Sequence, residues 1–495
     1  MRRTLALTFP LFVVAAFLAT QAAAASDGNV LRTQILKAYP SLLYVDRYRQ
    51  SFPEEVQGAK PFWSADRAAP DVSRPDQLVA ALSELEDQHV ALIGPHAGKS
   101  ETLGVLFRTA SDGTMIVWRI FDPAVKGVAE GDQVLAIDKT PTQSWLRRAA
   151  SMTFGGNRRG RMAEAATELG LGTPIVHHIA GLGKAVALLV QSGTAKPRAV
   201  TLSYLPVDDA RATAMTRAIN RPDLPEIVEA KSYRIGTLRI GAFAPQYDPV
   251  FIASSERAAK KAGTTDDQAM LIGYCAVTAA FIKNFDSVAR RSDVVVIDLR
   301  GNLGGFDREV RLEAEAIAPK APPRTWDLFA TDRRGTVRLA EEKLDPSCGH
   351  VTLRRPLIVL DDAATRSAGE FMTAWLWTSG AAVVGEQTVG AGGGFEFNAQ
   401  GFALPDSGLR VRTSGNFTIF DPTGTLKAGA WSEDLIVAKL IANHFGPSRN
   451  APFAIQSVGF RPDLAASTTL EDLRGGGVAE ITRAIASLRS RHLPN

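Results

Sequence analysis

The chain has 495 residues, of which 45% are hydrophobic and 22% are charged, and its formal net charge is +4 at pH 7. This composition is ordinary for a globular protein, and the length allows two or three domains. So small a net charge on so long a chain gives no indication of binding to nucleic acid or to an anionic membrane.

Residues 1–25 have the pattern of a secretory signal peptide. Two arginines precede an apolar core, Leu5 to Leu18, and a run of alanines precedes Ser26. The core is too short to span a bilayer, and no later stretch reaches about 18 uninterrupted apolar residues, so no stable membrane insertion is predicted. We expect a periplasmic or secreted protein. Cys275 and Cys348 suit such a protein, either as one disulfide or as two buried thiols.

Residues 26–98 are predicted to form an N-terminal helical segment. Apolar residues recur at helical spacing over Val30–Leu43 and Pro75–Val90, with a proline-rich connection between them. The second helix ends in a charged turn that contains His89. A lone histidine in this position is usually structural, so His89 is predicted to have no chemical role.

Residues 99–206 change to short strands and turns, beginning with Leu103–Phe107 and Met115–Ile120. The stretch from Asp122 to Asp138 resembles the core of a PDZ domain, where a short helix leads into a Gly-Asp turn and a strand. PDZ domains add an extended peptide to a sheet edge and hold its terminal carboxylate with backbone amides.

The resemblance to a PDZ domain implies that Leu103, Gly104 and Val105 form the carboxylate-binding loop. The arginine-containing stretch 152–178 is longer than a minimal PDZ domain requires, and we expect it to be a solvated loop. A polar stretch, residues 207–231, then marks the boundary to the next domain.

Residues 231–450 contain buried strands that run directly into special turns. The strand Asp293–Leu299 leads to a glycine-rich turn with Gly304 and Gly305, and the strand Leu357–Leu360 leads to Ser367. A helix is predicted from about Ser367 to Gly380, because its apolar residues share one helical face.

Two interpretations of Ser367 follow from its place at a helix start. Free backbone N–H groups point outward there and can hold a developing oxyanion beside a nucleophilic serine. Alternatively, the hydroxyl of Ser367 simply caps the helix.

The chain has, in order, a signal peptide, a helical segment that ends in Leu-x-Asp-x-His, a PDZ-like module and the segments "IGTLRIGAF", "VVVIDLRGNLGG", "RSAGEF" and "VVGEQTVG". This ordered set resembles the tail-specific (carboxyl-terminal processing) serine proteases. These are relatives of the tricorn core protease. The resemblance covers about residues 70–440 and implies an α/β, multidomain (α+β) fold, in which a crotonase-like spiral of ββα units forms the peptidase core. It also implies an inserted PDZ-like domain and a helical tail over residues 451–495.

The resemblance assigns roles to individual residues. Ser367 becomes the nucleophile, and the Ala368 N–H with an N–H from Gly304 or Gly305 becomes the oxyanion hole. Glu370 and Thr388 stand at further site positions of the family, which makes them supporting groups.

The general base departs from the family pattern. Bacterial members place a lysine after the Gly-x-Thr-x-Gly loop, where this chain has Ala391. Tricorn-type members take a histidine from an early strand, where this chain has Arg239, and arginine stays protonated. The candidates that remain are Lys427, as the partner in a Ser–Lys dyad, and Glu386, provided that burial raises its pKa.

The predicted function is that of an exported serine endopeptidase that cleaves proteins or peptides near their free C-termini. The alternative is a scaffold that has lost its base and only binds peptides. The sequence has no Cys/His set at zinc spacing, no P-loop and no nucleotide fingerprint, so neither a metal nor another cofactor is predicted. The oligomeric state stays open.

Overall fold

The computed structural model describes residues 26–51, 72, 75–93, 101–172, 183–230, 233–261, 263–318, 320, 323–394, 401–443, 449–479, 481–482 and 485. The predicted signal peptide, residues 1–25, lies outside the described residues, as do residues 480, 483–484 and 486–495 of the predicted helical tail. Within the described part of the chain, no helix is both long and apolar enough to cross a bilayer.

The helices alternate with strands along most of the chain. They are α1 (Asp27–Ala38), α2 (Leu42–Ser51), α3 (Pro75–Ser83), α4 (Thr142–Ala150), α5 (Arg158–Leu171), α6 (Asp209–Asn220), α7 (Pro249–Ala259), α8 (Asp266–Arg290), α9 (Asp307–Ile317), α10 (Ala368–Thr378), α11 (Glu433–Ala442) and α12 (Leu470–Arg474), with a 3₁₀ turn at Pro245–Tyr247. The helix predicted over Val30–Leu43 is divided into α1 and α2 around Pro40, since a residue before proline disfavours helical backbone.

The strands are mostly short. They are β1 (Ala91–Ile93), β2 (Glu101–Thr102), β3 (Val105–Thr109), β4 (Met115–Ile120), β5 (Gln133–Ile137), β6 (Thr140–Pro141), β7 (Ala185–Gln191), β8 (Arg198–Ser203), β9 (Leu205–Pro206), β10 (Ile227–Ala230), β11 (Tyr233–Arg239), β12 (Val294–Asp298), β13 (Arg324–Ala330), β14 (Thr336–Glu341), β15 (Leu357–Asp361), β16 (Ala382–Gly385), β17 (Gly393–Gly394), β18 (Phe402–Ala403), β19 (Arg410–Arg412), β20 (Asn416–Asp421), β21 (Gly429–Ser432), β22 (Phe453–Ala454) and β23 (Leu464–Ala465).

A central sheet in the order β10–β11–β12–β15–β16–β23 organises the predicted peptidase core. All its neighbours from β11 onward are parallel, and only β10 is antiparallel to β11. One face packs on α8, α9 and α10, and a second apolar cluster covers the other face. Burial on both faces explains why strands such as β12 are continuously β-branched. The mixed α/β, multidomain class predicted from the sequence is confirmed.

Two antiparallel units flank this core. The sheet β17–β20–β13–β14–β21 forms a second hydrophobic core with the N-terminal helices and α11, and the sheet β3–β4–β5–β7–β8 forms a third with α4 and α5. The short sheet β1–β19–β18 links the N-terminal segment to the peptidase region.

The prediction that residues 152–178 form a solvated loop is wrong for the described residues, because these contain the helix α5. Asn157 caps this helix by accepting the Gly160 N–H. Arg161 is buried and donates to the carbonyls of Thr153 and Ser83 at 3.0 and 2.8 Å. The arginine is therefore satisfied by backbone oxygens rather than by solvent.

The segment after residue 451, expected to be a helical tail, also contains strands that complete the core. β22 pairs with β20, and β23 adds to the central sheet beside β16. Between them, Ser457 donates its N–H to the Gly390 carbonyl at 2.8 Å and its hydroxyl to the Glu86 carbonyl at 3.2 Å. The Phe460 N–H donates to Thr388 Oγ1 at 2.6 Å. This segment therefore joins the N-terminal region to the loop after β16.

Cys275 of α8 and Cys348 form a disulfide across 73 residues of sequence. Of the two alternatives left open by the sequence, the structure adopts the disulfide. The bond fixes α8 to the segment that precedes β15.

Candidate active site

Three turns meet at one edge of the central sheet. The turn with Gly304 and Gly305 follows β12, Ser367 follows β15, and Thr388 follows β16. The carboxyl ends of neighbouring parallel strands lie at the same sheet edge, so these turns converge. They are close enough that a Cβ added to Gly304 would lie 2.8 Å from Ser367 Cβ.

Ser367 occupies a strained backbone conformation at the start of α10. Its φ is 51° and its ψ is −122°, a region that non-glycine residues rarely occupy. Such strain persists only where the surrounding structure enforces it, and it clusters at functional sites. The half-buried side chain lines a cleft of about 780 Å³. Ser367 thus stands at the cap position of α10, but its side chain also faces a cleft.

The side chain in contact with the Ser367 hydroxyl is His89. Its Nε2 lies 3.0 Å from Ser367 Oγ, although the two residues are 278 positions apart. His89 stands two residues before β1, which pairs with β19 and so fixes the histidine at the cleft. The expectation that His89 has only a structural role is corrected by this contact.

The surroundings of His89 favour a neutral imidazole. Burial lowers its pKa below the usual value, and the positive charges of Arg366 and Arg412 lower it further, whereas Asp87 raises it. The carboxylate of Asp87 accepts the His89 backbone N–H at 3.0 Å, and its Oδ1 lies 3.9 Å from Nδ1. A neutral imidazole with Nε2 toward the serine can accept the hydroxyl proton.

Asp87 is itself held in place from two directions. It is fully buried and accepts hydrogen bonds from the Tyr39 hydroxyl at 3.1 Å and from the Ser414 hydroxyl at 3.0 Å. These contacts fix the carboxylate beside the imidazole, on the side away from Nε2.

Three backbone N–H groups were candidates for the predicted oxyanion hole, and two of them are available to a ligand. The Gly304 N–H already donates to Asn302 Oδ1 at 2.7 Å. Among the described residues, the backbone N–H groups of Gly305 and Ala368 have no hydrogen-bond acceptor. Gly305 lines the cleft with Ser367, and Ala368 is the first residue of α10. Two donors on either side of a serine hydroxyl are the arrangement that stabilises an oxyanion.

Glu370 joins the serine turn to the loop after β16. Its buried carboxylate accepts the N–H groups of Ser367 at 3.0 Å and of Gly390 and Ala391 at 2.7 Å each. The Thr388 hydroxyl donates to the same carboxylate at 2.5 Å. Burial raises the pKa of Glu370 to about 7, against the lowering effect of these donors. Glu370 and Thr388 therefore support the turn and do not contact the cleft.

The two proposed bases lie elsewhere. Lys427 is exposed and is not among the residues that line the cleft with Ser367. Glu386 lines a different pocket, where it pairs with Arg159 at 3.3 Å. The Ser367–Lys427 dyad is corrected: the residue in contact with the serine is the histidine. The sequence signal for this histidine is an Asp-x-His pattern shortly before a strand.

Two backbone N–H groups of the predicted carboxylate-binding loop already have hydrogen-bond acceptors within the protein. The Leu103 N–H donates to the Gly170 carbonyl at 3.0 Å, and the Gly104 N–H donates to Thr102 Oγ1 at 3.1 Å. Leu103 and Val105 are buried, and α5 packs against this strand. In this conformation the N–H groups of Leu103 and Gly104 are therefore not available to a terminal carboxylate.

Among the described residues, no group of three or more His, Cys, Asp or Glu side chains is placed to hold a metal ion.

Comparison with known proteins gives a family match and a shared fold. Residues 272–421 match the model of peptidase family S41, a range that contains both the glycine turn and Ser367. No curated protein matches the sequence.

Solved structures are similar over nearly the whole chain. Mature CPAF complexed with lactacystin has a TM-score of 0.58 at 16% identity, over 94% of this chain and 97% of that chain. Mature CPAF has the same TM-score and identity, over 94% and 96%. At this identity the likeness establishes the fold alone. The photosystem II D1 C-terminal processing protease has a TM-score of 0.39 at 15% identity, over 90% and 95%.

Proposed function

Because the chain carries a peptidase family S41 domain and is a serine-type peptidase, we propose that it cleaves peptide bonds with Ser367 as nucleophile and His89 as general base. The observation that carries this assignment is the 3.0 Å contact between His89 Nε2 and Ser367 Oγ in an open cleft. Asp87 is the positioning residue, because it accepts the backbone N–H of His89 and its carboxylate lies 3.9 Å from Nδ1 of the imidazole.

The proposed reaction has two stages. His89 Nε2 takes the hydroxyl proton while Ser367 Oγ forms a bond to the carbonyl carbon of the substrate. The carbonyl oxygen becomes an oxyanion, which the N–H groups of Gly305 and Ala368 stabilise. His89 then gives its proton to the leaving amine as the peptide C–N bond breaks. In the second stage a water gives a proton to His89 Nε2 while its oxygen forms a bond to the acyl carbon. The bond between that carbon and Ser367 Oγ then breaks, and His89 returns the proton to Oγ, which releases the acid and restores the serine.

The proposal also includes a class of substrate and a location in the cell. We propose an endopeptidase that acts near the C-termini of proteins or peptides, exported by residues 1–25 to the periplasm or outside the cell. Support comes from the resemblance to tail-specific proteases and from the disulfide between Cys275 and Cys348, since disulfides persist in oxidising compartments. We propose that the PDZ-like module, which does not line the cleft, presents the substrate.

Labelling by a fluorophosphonate tests the nucleophile. We expect the probe to modify Ser367 in the wild-type protein and to leave Ser367→Ala unmodified, because only an activated serine attacks phosphorus at a useful rate. Mass spectrometry of the digested protein identifies the labelled residue. Ser467→Ala, which removes an exposed serine outside the cleft, should label like wild type. Peptide binding without any labelling would instead identify the scaffold, the alternative function.

The pH profile tests the base. Burial and two arginines keep the pKa of His89 below its usual value near 6.5. The neutral, reactive imidazole therefore persists into mildly acidic solution, and the fall of kcat/KM that is due to His89 should have its midpoint below about pH 6.5. A separate loss near pH 7 would report the Glu370 carboxyl, whose pKa is about 7. Initial rates from pH 4.5 to 8 with one peptide substrate measure this fall of kcat/KM in acid. A midpoint above about pH 7.5 would indicate that a lysine amine or another group, and not His89, is the base.

A further inference from the structure

Two arginines stand beside the proposed nucleophile and base without a role in the reaction described above. Arg366 directly precedes Ser367, and Arg412 lies on β19 in register with Ala91, two residues after His89. Both arginines line the cleft together with Ser367 and His89. Both charges also act on His89, since each lowers the pKa of its imidazole.

The other charges of the cleft do not neutralise Arg366. Arg308, at the far end of the cleft, donates to Asp267 and Asp345 at 2.7 Å each, so its charge is balanced. Arg366 is largely buried, and its Nε lies 3.4 Å from the Leu303 carbonyl. Asp307 also lines the cleft, and the charge of Arg366 lowers the pKa of the buried Glu164, but no carboxylate of the described residues forms an ion pair with Arg366.

Arg412 adds a second cation to the lining of the cleft. Its guanidinium is partly buried, and this desolvation lowers its pKa. A cation in such a place gains most from a ligand that is itself negative. Guanidinium groups match carboxylates well, because their planar forks donate two parallel hydrogen bonds.

We propose that Arg366 and Arg412 form a carboxylate-binding subsite that selects substrates with a negative group next to the scissile bond, an inference that rests on the proposed peptidase function. The carboxylate belongs to an aspartate or glutamate side chain or to the free C-terminus of the peptide. Once bound, it also offsets the positive field on His89 and makes that imidazole a stronger base.

Matched peptides test the subsite. One set carries either Glu or Gln at each of the two positions that flank the cleaved bond, and a second set ends one residue after that bond in either a free carboxylate or a carboxamide. Wild-type protein should favour the charged member of at least one pair by roughly tenfold to hundredfold in kcat/KM, the effect of a charge-assisted hydrogen bond. The pair that responds identifies the source of the carboxylate.

Variants assign the preference to the arginines. Arg366→Gln and Arg412→Gln should each lower the charged-to-neutral ratio toward one, whereas Arg334→Gln, at an exposed site outside the cleft, should leave it unchanged. The pH dependence of kcat reports the pKa of His89 in the enzyme–substrate complex. The fall of kcat in acid should therefore lie at higher pH with the charged substrate than with the neutral one, and this difference should shrink in both cleft variants. A purely structural role would not produce that difference.

The outcomes separate this inference from the proposed function. Equal rates for charged and neutral peptides in wild type, or an unchanged preference in both cleft variants, would overturn the subsite while fluorophosphonate labelling of Ser367 still supported the peptidase. Absence of labelling in wild type would remove both. If Arg366→Gln does not fold, Arg412→Gln and the wild-type pH profiles still decide.

Discussion

His89→Gln is expected to lower kcat by four to six orders of magnitude, on the order of the loss seen when a serine protease loses its histidine. Glutamine keeps a polar side chain but has no nitrogen that can accept the hydroxyl proton of Ser367. The contact at 3.0 Å would then hold the serine without activating it. Steady-state rates and the rate of fluorophosphonate labelling measure the loss.

His350→Gln is the matched control, because His350 is exposed and its Nε2 lies 3.3 Å from Ser347 Oγ, outside the cleft. It should retain wild-type activity. If His89→Gln kept more than about a tenth of the wild-type rate, the base would have to be sought elsewhere. Lys427→Ala, the substitution that the sequence alone suggests, is expected to leave turnover almost unchanged.

Glu370→Gln is expected to lower the free energy of unfolding by about 3 kcal/mol, because it puts an amide where a carboxylate accepts hydrogen bonds from several donors. The amide nitrogen replaces only one of the two oxygens, so its N–H donors face either the N–H groups of Ser367 and Ala391 or the N–H of Gly390 and the Thr388 hydroxyl. The serine turn should loosen, and labelling of Ser367 should slow by about a hundredfold, as after the loss of one oxyanion donor.

Urea unfolding and labelling rates measure these two effects on the same protein sample. Glu256→Gln changes an exposed glutamate on α7 and should alter neither quantity. A Glu370→Gln protein as stable and as reactive as wild type would mean that the carboxylate does not hold the turn.

Much of the serine side of the site could be predicted because its signals are local. A buried strand that runs into a glycine turn or into Ser367 is visible in a few residues, and parallel strands bring such turns to one edge. The choice of Gly305 over Gly304 was not visible, since it depends on Asn302, whose side chain accepts the Gly304 N–H.

The base could not be predicted by the same means. His89 reaches Ser367 only because β1 pairs with β19, a contact between distant parts of the chain. The Asp-x-His pattern at His89 is by itself too short to distinguish a buried structural histidine from a general base. At Leu103 the sequence predicted a binding role that a distant contact removes. Its pattern suggests a free backbone amide, but the Leu103 N–H donates to the Gly170 carbonyl.

The segment around Ser457 has a consequence for the timing of activity. It ties the carbonyl of Glu86, near the histidine, to Gly390 in the loop held by Glu370. The ribosome makes these residues in the order of the numbering, so a nascent chain that has reached only Ser367 lacks one of the ties that hold its reactive groups together. The serine turn and the segment before the histidine therefore share this support only after the residues around Ser457 have been made and have folded.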